Sequence, residues 1–229
     1  MLFIVPTPIG NLDDITLRAI RVLGEVDLIA AEDTRHSGML LKHLGISKSM
    51  VSFHQHNEAG RTAELLERLA SGQSVAVITD AGSPGISDPG GRLIRACVQD
   101  GIPLTVLPGA CAVIPALVGS GFGDGEFCFG GFLPVKSGQR VRELTAALER
   151  LEPTVFYESP YRLVKSLSAL HLLAPERKIC VARELTKKFE EYRHGLANEL
   201  AAHYTTRPPK GEICLIIDGS KPLRKTMQS

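Results

Sequence analysis

SVAVITDAGSPGISDPGGRLIRACVQ, residues 74–99, carries in one stretch a strand, a loop and a helix. Residues 74–79 are a short apolar run closed by Asp80, the length and make-up of a buried strand. Residues 80–90 are rich in Gly, Pro, Ser and Asp and read as a loop, and 92–99 are helical in pattern. A buried strand followed by a helix is the unit from which parallel sheets are built, because parallel strands need a crossover between them.

The same succession extends outward in both directions. LFIV (2–5) is a strand ended by Pro6, and Leu17, Ile20 and Leu23 lie at helical spacing, with Asp13 or Asp14 as the expected cap. DLIAA (27–31) and MVSF (50–53) read as strands, 37–44 and 58–70 as helices. Downstream, PLTVL (103–107) is a strand and 110–118 a helix in spite of Pro115. This alternation predicts an α/β domain with a parallel sheet covered on both faces. GSGFGDGE (119–126) is the expected linker. Beyond it EFCFGGF (126–132), TVFY (154–157), KICVARE (178–184) and EICLIID (212–218) read as strands, and 139–150 and 161–172 as helices. The expected organisation is two α/β domains, 1–118 and 119–219, followed by a basic tail at 220–229 that contains Lys221, Arg224 and Lys225.

Composition narrows the classes. With 229 residues, 44% apolar and 22% charged, the chain is neither disordered, collagen-like nor coiled coil. A chain this long buries about 70% of its unfolded surface and needs no disulfide or structural metal. The five cysteines are odd in number and scattered, with no CxxC or zinc-finger spacing; Cys180 and Cys214 sit in apolar runs as small core residues. That usage predicts a reducing cytoplasm. MLFIVPTPIG lacks the basic start of a signal peptide. The most apolar stretch, 106–122, is broken by Pro108, Pro115 and glycines, short of the ~18 uninterrupted apolar residues of a membrane span, so a soluble protein is expected. Absent tryptophan and 5% aromatics argue against base-stacking platforms. Charge is uneven: residues 1–115 hold nine Lys/Arg against twelve Asp/Glu, and 116–229 seventeen against thirteen. A polyanionic partner would therefore favour the second half.

Ligands of open parallel sheets bind outside the carboxyl ends of the strands. The loops there are PTPIGN (6–11), EDTR (32–35), DAGSPGISDPG (80–90) and PGACA (108–112), four Gly-, Pro- and acid-bearing segments whose backbone a ligand can approach closely. No GxGxxG follows the first strand, and neither GxxxxGK[ST] nor GxSxG occurs, which argues against a dinucleotide Rossmann site, a P-loop NTPase and a serine hydrolase of the elbow type. His54 and His56 lack a third ligand at metal spacing, and His36 reads as a surface residue at a helix start.

Seven segments occur in a telling order: VPTPIGNLDDIT (5–16), AAEDTR (30–35), ITDAGSPGISDPG (78–90), LPGACA (107–112), FYESPYR (156–162), ARELTK (182–187), and GE (211–212) before a last apolar strand. Together they resemble the ribosomal RNA small subunit methyltransferase I family, the RNA-modifying branch of the tetrapyrrole methylases, which use S-adenosylmethionine (SAM). The resemblance implies a tetrapyrrole-methylase-like α/β fold, with a parallel-sheet first domain, a mixed-sheet second domain and SAM in the cleft between them. It implies a homodimer, and methyl transfer to the ribose 2′-hydroxyl of a cytidine in 16S rRNA of the small ribosomal subunit. Where members of that family often continue into a helical extension, this sequence runs eleven residues past Asp218.

Residue by residue, the resemblance implies a first cofactor loop at Pro8, Ile9 and Gly10. It places the amino-acid end of SAM against Asp80, Gly82, Ser83, Pro84 and Ile86, where the usual Gly-Asp-Pro reads Gly82-Ser83-Pro84. Cys111 and Ala112 match a helix-start pair beside SAM. Phe156, Tyr157, Ala182, Glu184, Leu185, Gly211, Glu212 and Ile213 match an adenine wall in the second domain. No metal is expected. A ribose hydroxyl is a poor nucleophile at neutral pH, so a general base is needed. Among the strand-end acids Glu32, Asp33 and Glu158, Asp33 or Glu158 is the expected base, with Arg35 or Arg183 contacting phosphate or ribose and Lys187 nearby. Two other readings stay open: a methyltransferase of a tetrapyrrole or other small molecule, and a non-catalytic SAM- or RNA-binding module.

Overall fold

A computed structural model describes residues 1–123 and 125–219; the basic tail expected at 220–229 lies outside the described residues. The chain divides into two compact units, Met1–Cys111 and a second that begins at Ala112. The helix expected to close the first domain therefore opens the second.

The first unit runs β1 (Leu2–Ile4), α1 (Leu17–Glu25), β2 (Leu28–Ala31), α2 (Thr34–His43), β3 (Met50–Ser52), α3 (Glu58–Ala70), β4 (Val75–Ile78), α4 (Gly91–Gln99) and β5 (Leu104–Val106). Its strands stand in the order β3-β2-β4-β1-β5, every neighbouring pair parallel. β2 and β4 are buried at every position, which is why they read as unbroken apolar runs. Alternation along the strands divides the core in two. Leu2, Ile4, Val75 and Val77 meet Leu65, Leu69 and Leu93 of α3 and α4. On the other face Ile29, Ala31, Ala76 and Ile78 meet Val22 and Leu23 of α1 and Leu41 of α2. The cap of α1 is Thr16, whose hydroxyl accepts from the Ala19 N–H at 3.0 Å. Asp13 and Asp14, expected to cap it, belong instead to a 3-10 turn that Asn11 caps.

The second unit runs α5 (Val113–Ser120), β6 (Cys128–Phe132), α6 (Ser137–Glu149), β7 (Thr154–Glu158), α7 (Leu163–Leu173), β8 (Lys178–Arg183), β9 (Glu191–Leu196), α8 (Ala197–Thr206) and β10 (Ile213–Ile217). The order is β6-β7-β10-β8-β9; β6 and β7 are parallel, the other pairs antiparallel. The sheet is mixed, as the resemblance implied. β9 and α8 were not anticipated from the sequence. Leu144, Leu167, Leu170, Leu200 and Tyr204 of α6, α7 and α8 pack on Phe156, Val181, Ile213 and Leu215. α5 covers the opposite face, against β7, β8, β9 and β10. There the Tyr192 hydroxyl donates to the Pro115 carbonyl at 3.0 Å, and a His194 ring nitrogen lies 2.8 Å from the Ser120 carbonyl. Cys180 and Cys214 are buried core residues, and burial pushes the Cys180 thiol up to about 12. Among the described residues no helix is long and apolar enough to cross a membrane.

Candidate functional site

In the first unit the carboxyl edge of the sheet is tied together by backbone. The Thr7 N–H donates to the Gly82 carbonyl at 3.0 Å, and the Gly82 N–H donates back to Thr7 at 2.9 Å. The buried Thr7 hydroxyl donates to the Thr79 carbonyl at 2.9 Å, so the loops after β1 and β4 form one surface. Gly82 has φ +79, a conformation that favours glycine, and Ile9 packs over it. Pro8 and Ile9 are half-buried and Gly10 is exposed. The Thr79 hydroxyl beneath this surface is buried without a hydrogen-bond partner.

The rest of the 80–90 loop folds back on itself. The Gly85 N–H donates to Pro89 at 3.1 Å, and Ser87 adopts φ +63. Pro84 is buried beside Gly90, whereas Ile86 is 53% exposed. Glu58 on α3 accepts from the Gly90 and Arg92 N–H groups, each at 3.1 Å, placing a carboxylate at the start of α4. Sequence inspection missed Glu58, which carries no signal beyond heading its own helix.

EDTR meets this loop at its acids. The Asp80 N–H donates to Glu32 at 3.3 Å, and the Asp33 N–H donates to Asp80 at 3.2 Å. Burial, then the Glu32 and Asp80 charges, push the Asp88 carboxyl up to about 6. Asp33 itself caps α2: it accepts the Arg35 N–H at 2.8 Å and pairs with the Arg35 guanidinium at 3.0 Å. Those Arg35 hydrogen bonds hold its carboxyl down at about 2. Asp33 is therefore ionised at neutral pH and engaged by Arg35 at the start of α2. After β5, Gly109 lies so close to Pro6 that a Cβ would come within 2.7 Å of the ring, and Cys111 is half-buried.

In the second unit one row of the sheet register contains Glu158, Ile213, Arg183 and Glu191. Glu158 is buried and fully engaged: Arg162 at 3.0 Å, the Ser159 N–H at 2.7 Å and the Ser166 hydroxyl. It anchors the start of α7. Strand alternation splits the expected adenine wall. Tyr157 and Ala182 face α5, whereas Phe156 and Ile213 face the core under α6–α8. A Cβ on Gly130 would come 2.1 Å from the Phe156 ring. Tyr157 instead makes ring contacts with Phe129 and Phe132 at 5.0 and 5.1 Å. Ala112 offers its carbonyl 4.0 Å from the Cys214 sulfur.

ARELTK forms a strained loop, with Glu184 at φ +53 and Thr186 at φ +66. The Glu184 side chain fills the space above Gly211, where a Cβ would clash at 2.1 Å. The Glu184 N–H donates to the Glu212 carbonyl at 2.9 Å, and the Glu212 N–H returns to the Glu184 carboxylate at 3.0 Å. Lys187 donates to Glu184 at 2.9 Å and to Glu212 at 2.6 Å. Burial pulls its ammonium down, but the two carboxylates outweigh that and raise it. Leu185 is buried. Arg183 pairs with Glu191 at 3.2 Å and donates to the Lys210 carbonyl at 3.3 Å. Among the described residues no His, Cys, Asp and Glu group is arranged to hold a metal, and the His54 and His56 rings merely meet edge to face at 5.9 Å.

Comparison with known proteins gives the family and the fold. Residues 1–201 match the model of the tetrapyrrole (corrin/porphyrin) methylases. The chain is 47% identical over 223 residues to a ribosomal RNA small subunit methyltransferase I of Synechocystis sp., covering 97% of this chain and 80% of the relative. A protein of the same name from Haemophilus influenzae is 47% identical over 222 residues, covering 96% and 78%. Among solved structures, the methyltransferase CobJ superposes with a TM-score of 0.71 at 19% identity, over 96% of this chain and 94% of that one. A uroporphyrin-III C-methyl transferase from Thermus thermophilus, complexed with S-adenyl homocysteine, gives 0.67 at 18% identity, over 95% and 96%. At such identities the structures establish the fold.

Proposed function

The chain belongs to the tetrapyrrole methylases and, within them, to the ribosomal RNA small subunit methyltransferase I family, and from that premise we propose that it methylates the ribose 2′-hydroxyl of a cytidine in 16S rRNA with SAM. One observation carries the assignment: four of the segments that match the family end at the carboxyl edge of the first unit's parallel sheet, where the Thr7–Gly82 bridge joins two of them.

The residues present fit SAM. Gly82 lets a ligand approach the backbone, the unpartnered Thr79 hydroxyl offers a hydrogen bond, and Ile9 and Ile86 supply apolar contact. Pro8, Ile9, Gly10, Asp80, Gly82, Ser83 and Ile86 would hold it from the first unit. In the second, Tyr157, Ala182 and the 211–213 backbone would do so, while Phe156 and Ile213 shape the strands from the core side. SAM supplies a methyl group already activated on a sulfonium. The protein's share is to align the hydroxyl, exclude water and accept its proton as the O–C bond forms and the C–S bond breaks. Asp33 and Glu158 serve as positioning residues, fixing the starts of α2 and α7. Asp88, half-buried on the same edge with its carboxyl near 6, has the basicity suited to take the proton.

The same kinship supports a homodimer acting in the cytoplasm, where ribosomes lie. The test is transfer of labelled methyl from SAM to small ribosomal subunits, mapped by nuclease digestion. A 2′-O-methylcytidine in 16S rRNA is expected; label only in a tetrapyrrole acceptor would overturn the assignment. Ser83→Trp should keep the fold and abolish SAM binding. Pro84 is a poor probe, because its ring is part of the loop's interior.

A further inference from the structure

A second cleft, of about 350 Å³, opens in the second unit where α8 ends. Antiparallel pairing builds it. Arg183 stands opposite Glu191 and Val181 opposite Arg193, so strand alternation turns Arg183, Glu191 and Arg193 to the face that α8 covers. α8 stops at Thr206, short of these side chains, and Arg207 and Lys210 on the following segment line the cleft.

The charges do not balance. Glu191 is the one acid among the lining residues, and it is shared between two guanidinium groups, Arg183 Nε at 3.2 Å and Arg193 Nε at 2.8 Å. Burial pushes the Glu191 carboxyl up, but the two arginines outweigh this and hold it below its ordinary value, so it stays ionised. Four basic side chains thus line the cleft with a single carboxylate, which orients two of them. Beneath them lies a second, independent observation. Tyr204, 2% exposed, lines the cleft, and its buried hydroxyl has the Arg193 guanidinium beside it; arginine can only donate, so the phenolic proton has no acceptor. Burial pushes this phenol up to about 12, so it remains a donor. A buried donor left idle beneath surplus cations is expensive unless an acceptor comes to it.

We propose that this cleft is a phosphate site that receives a backbone phosphodiester of the RNA substrate, with Tyr204 Oη and the Arg193, Arg207 and Lys210 side chains as its donors. Arginine forks match phosphate oxygens in pairs, and the Glu191 bridge sets them beforehand. The site rests on the RNA methyltransferase assignment and places RNA along the β9 edge.

The test uses the full chain with small ribosomal subunits, measuring binding against salt, together with SAM affinity. The variants are Arg207→Gln/Lys210→Gln, both exposed, and Tyr204→Phe, which removes only the idle hydroxyl. The double variant should bind RNA about tenfold more weakly and lower the slope of log K against log salt by about 0.7–0.9 per lost phosphate contact. SAM affinity should stay within twofold, and Tyr204→Phe should weaken RNA binding without loss of thermal stability. Wild-type binding with unchanged affinity and slope in both variants would overturn the cleft alone. Failure of the wild-type chain to bind or methylate the subunits would overturn the functional assignment, and the cleft with it. Inorganic phosphate alone should bind only in the millimolar range; tight phosphate binding with RNA binding unaffected by the variants would assign the cleft to a free anion and overturn the RNA proposal.

Discussion

The two sheets present their ends differently. In the first unit all neighbouring strands are parallel, so every carboxyl end reaches one edge and every loop there follows a strand. In the second, β6, β7 and β8 run one way and β9 and β10 the other, so its corresponding edge mixes strand ends such as Glu158 and Arg183 with strand beginnings such as Glu191 and Ile213. The means of holding the edges differ as well. Backbone bonds between Thr7 and Gly82 tie the first. Ion pairs organise the second: Glu158–Arg162, Arg183–Glu191–Arg193 and Lys187 with Glu184 and Glu212. A parallel sheet makes a ligand edge by topology, whereas a mixed sheet makes one from charged side chains brought from strands of both directions.

The sharpest test of two separate cores is to open a cavity in each. Leu65→Ala in the first unit and Leu167→Ala in the second should each cost about 3–4 kcal/mol. Both side chains are fully buried, in different clusters. Denaturant unfolding followed by hydrogen exchange should show each loss confined to its own unit; equal spread over both would break the comparison. Smaller is the effect of Glu158→Gln, which leaves Arg162 without its counter-charge beside a buried position. About 2–3 kcal/mol is expected, and a neutral outcome would mean that the second edge does not depend on charge.

Thr7→Val probes the first edge. Losing the buried hydroxyl bond to Thr79 should cost about 1–2 kcal/mol and weaken SAM binding, read by calorimetry. Unchanged affinity would show that the Thr7–Thr79 hydroxyl bond does not shape these loops.

The smallest effect has a sign that depends on pH. The Asp88 carboxyl is raised from 3.8 to about 6, so the folded chain holds this proton more tightly than the unfolded one. Stability is therefore lost as pH rises from about 4 to 6, and Asp88→Asn should be more stable than wild type at pH 7, by about 1 kcal/mol after solvent screening, and no more stable at pH 4. Methyl transfer should fall in the same variant and lose its dependence on pH near 6. Asp33 runs the opposite way. Its carboxyl is held at about 2, so its contribution is present above pH 4 and is lost as pH falls toward 2.

How much could be known in advance follows the same division. Alternating apolar runs and Gly/Pro punctuation reveal the β1–β5 succession, because those signals act between near neighbours in the chain. The loops at the carboxyl edge of the first unit follow from it, since a parallel sheet leaves their place no freedom. β9 and α8 escaped notice: EYRHGL is polar enough to pass for a loop until it pairs with β8. With them went Tyr204, and Glu191 and Arg193, whose only sequence signal is the alternation of charged with aromatic and imidazole side chains at 191–194.

By itself, then, the sequence determined the α/β class, the order of elements through β5, the family and the four loops at the carboxyl edge of the parallel sheet. Only the tertiary structure decided that Asp33 is a cap, that Glu158 is a buried anchor, that Phe156 faces the core and Tyr157 does not, and that a basic cleft stands over an idle phenol. The physical reason is one of range. Propensity and periodicity are set by residues a few positions apart. The proton affinity of a carboxylate, or the exposure of an arginine, is set by groups brought together from distant parts of the chain, as Glu32, Asp80 and Asp88 are in the first unit and Arg183, Glu191 and Tyr204 in the second.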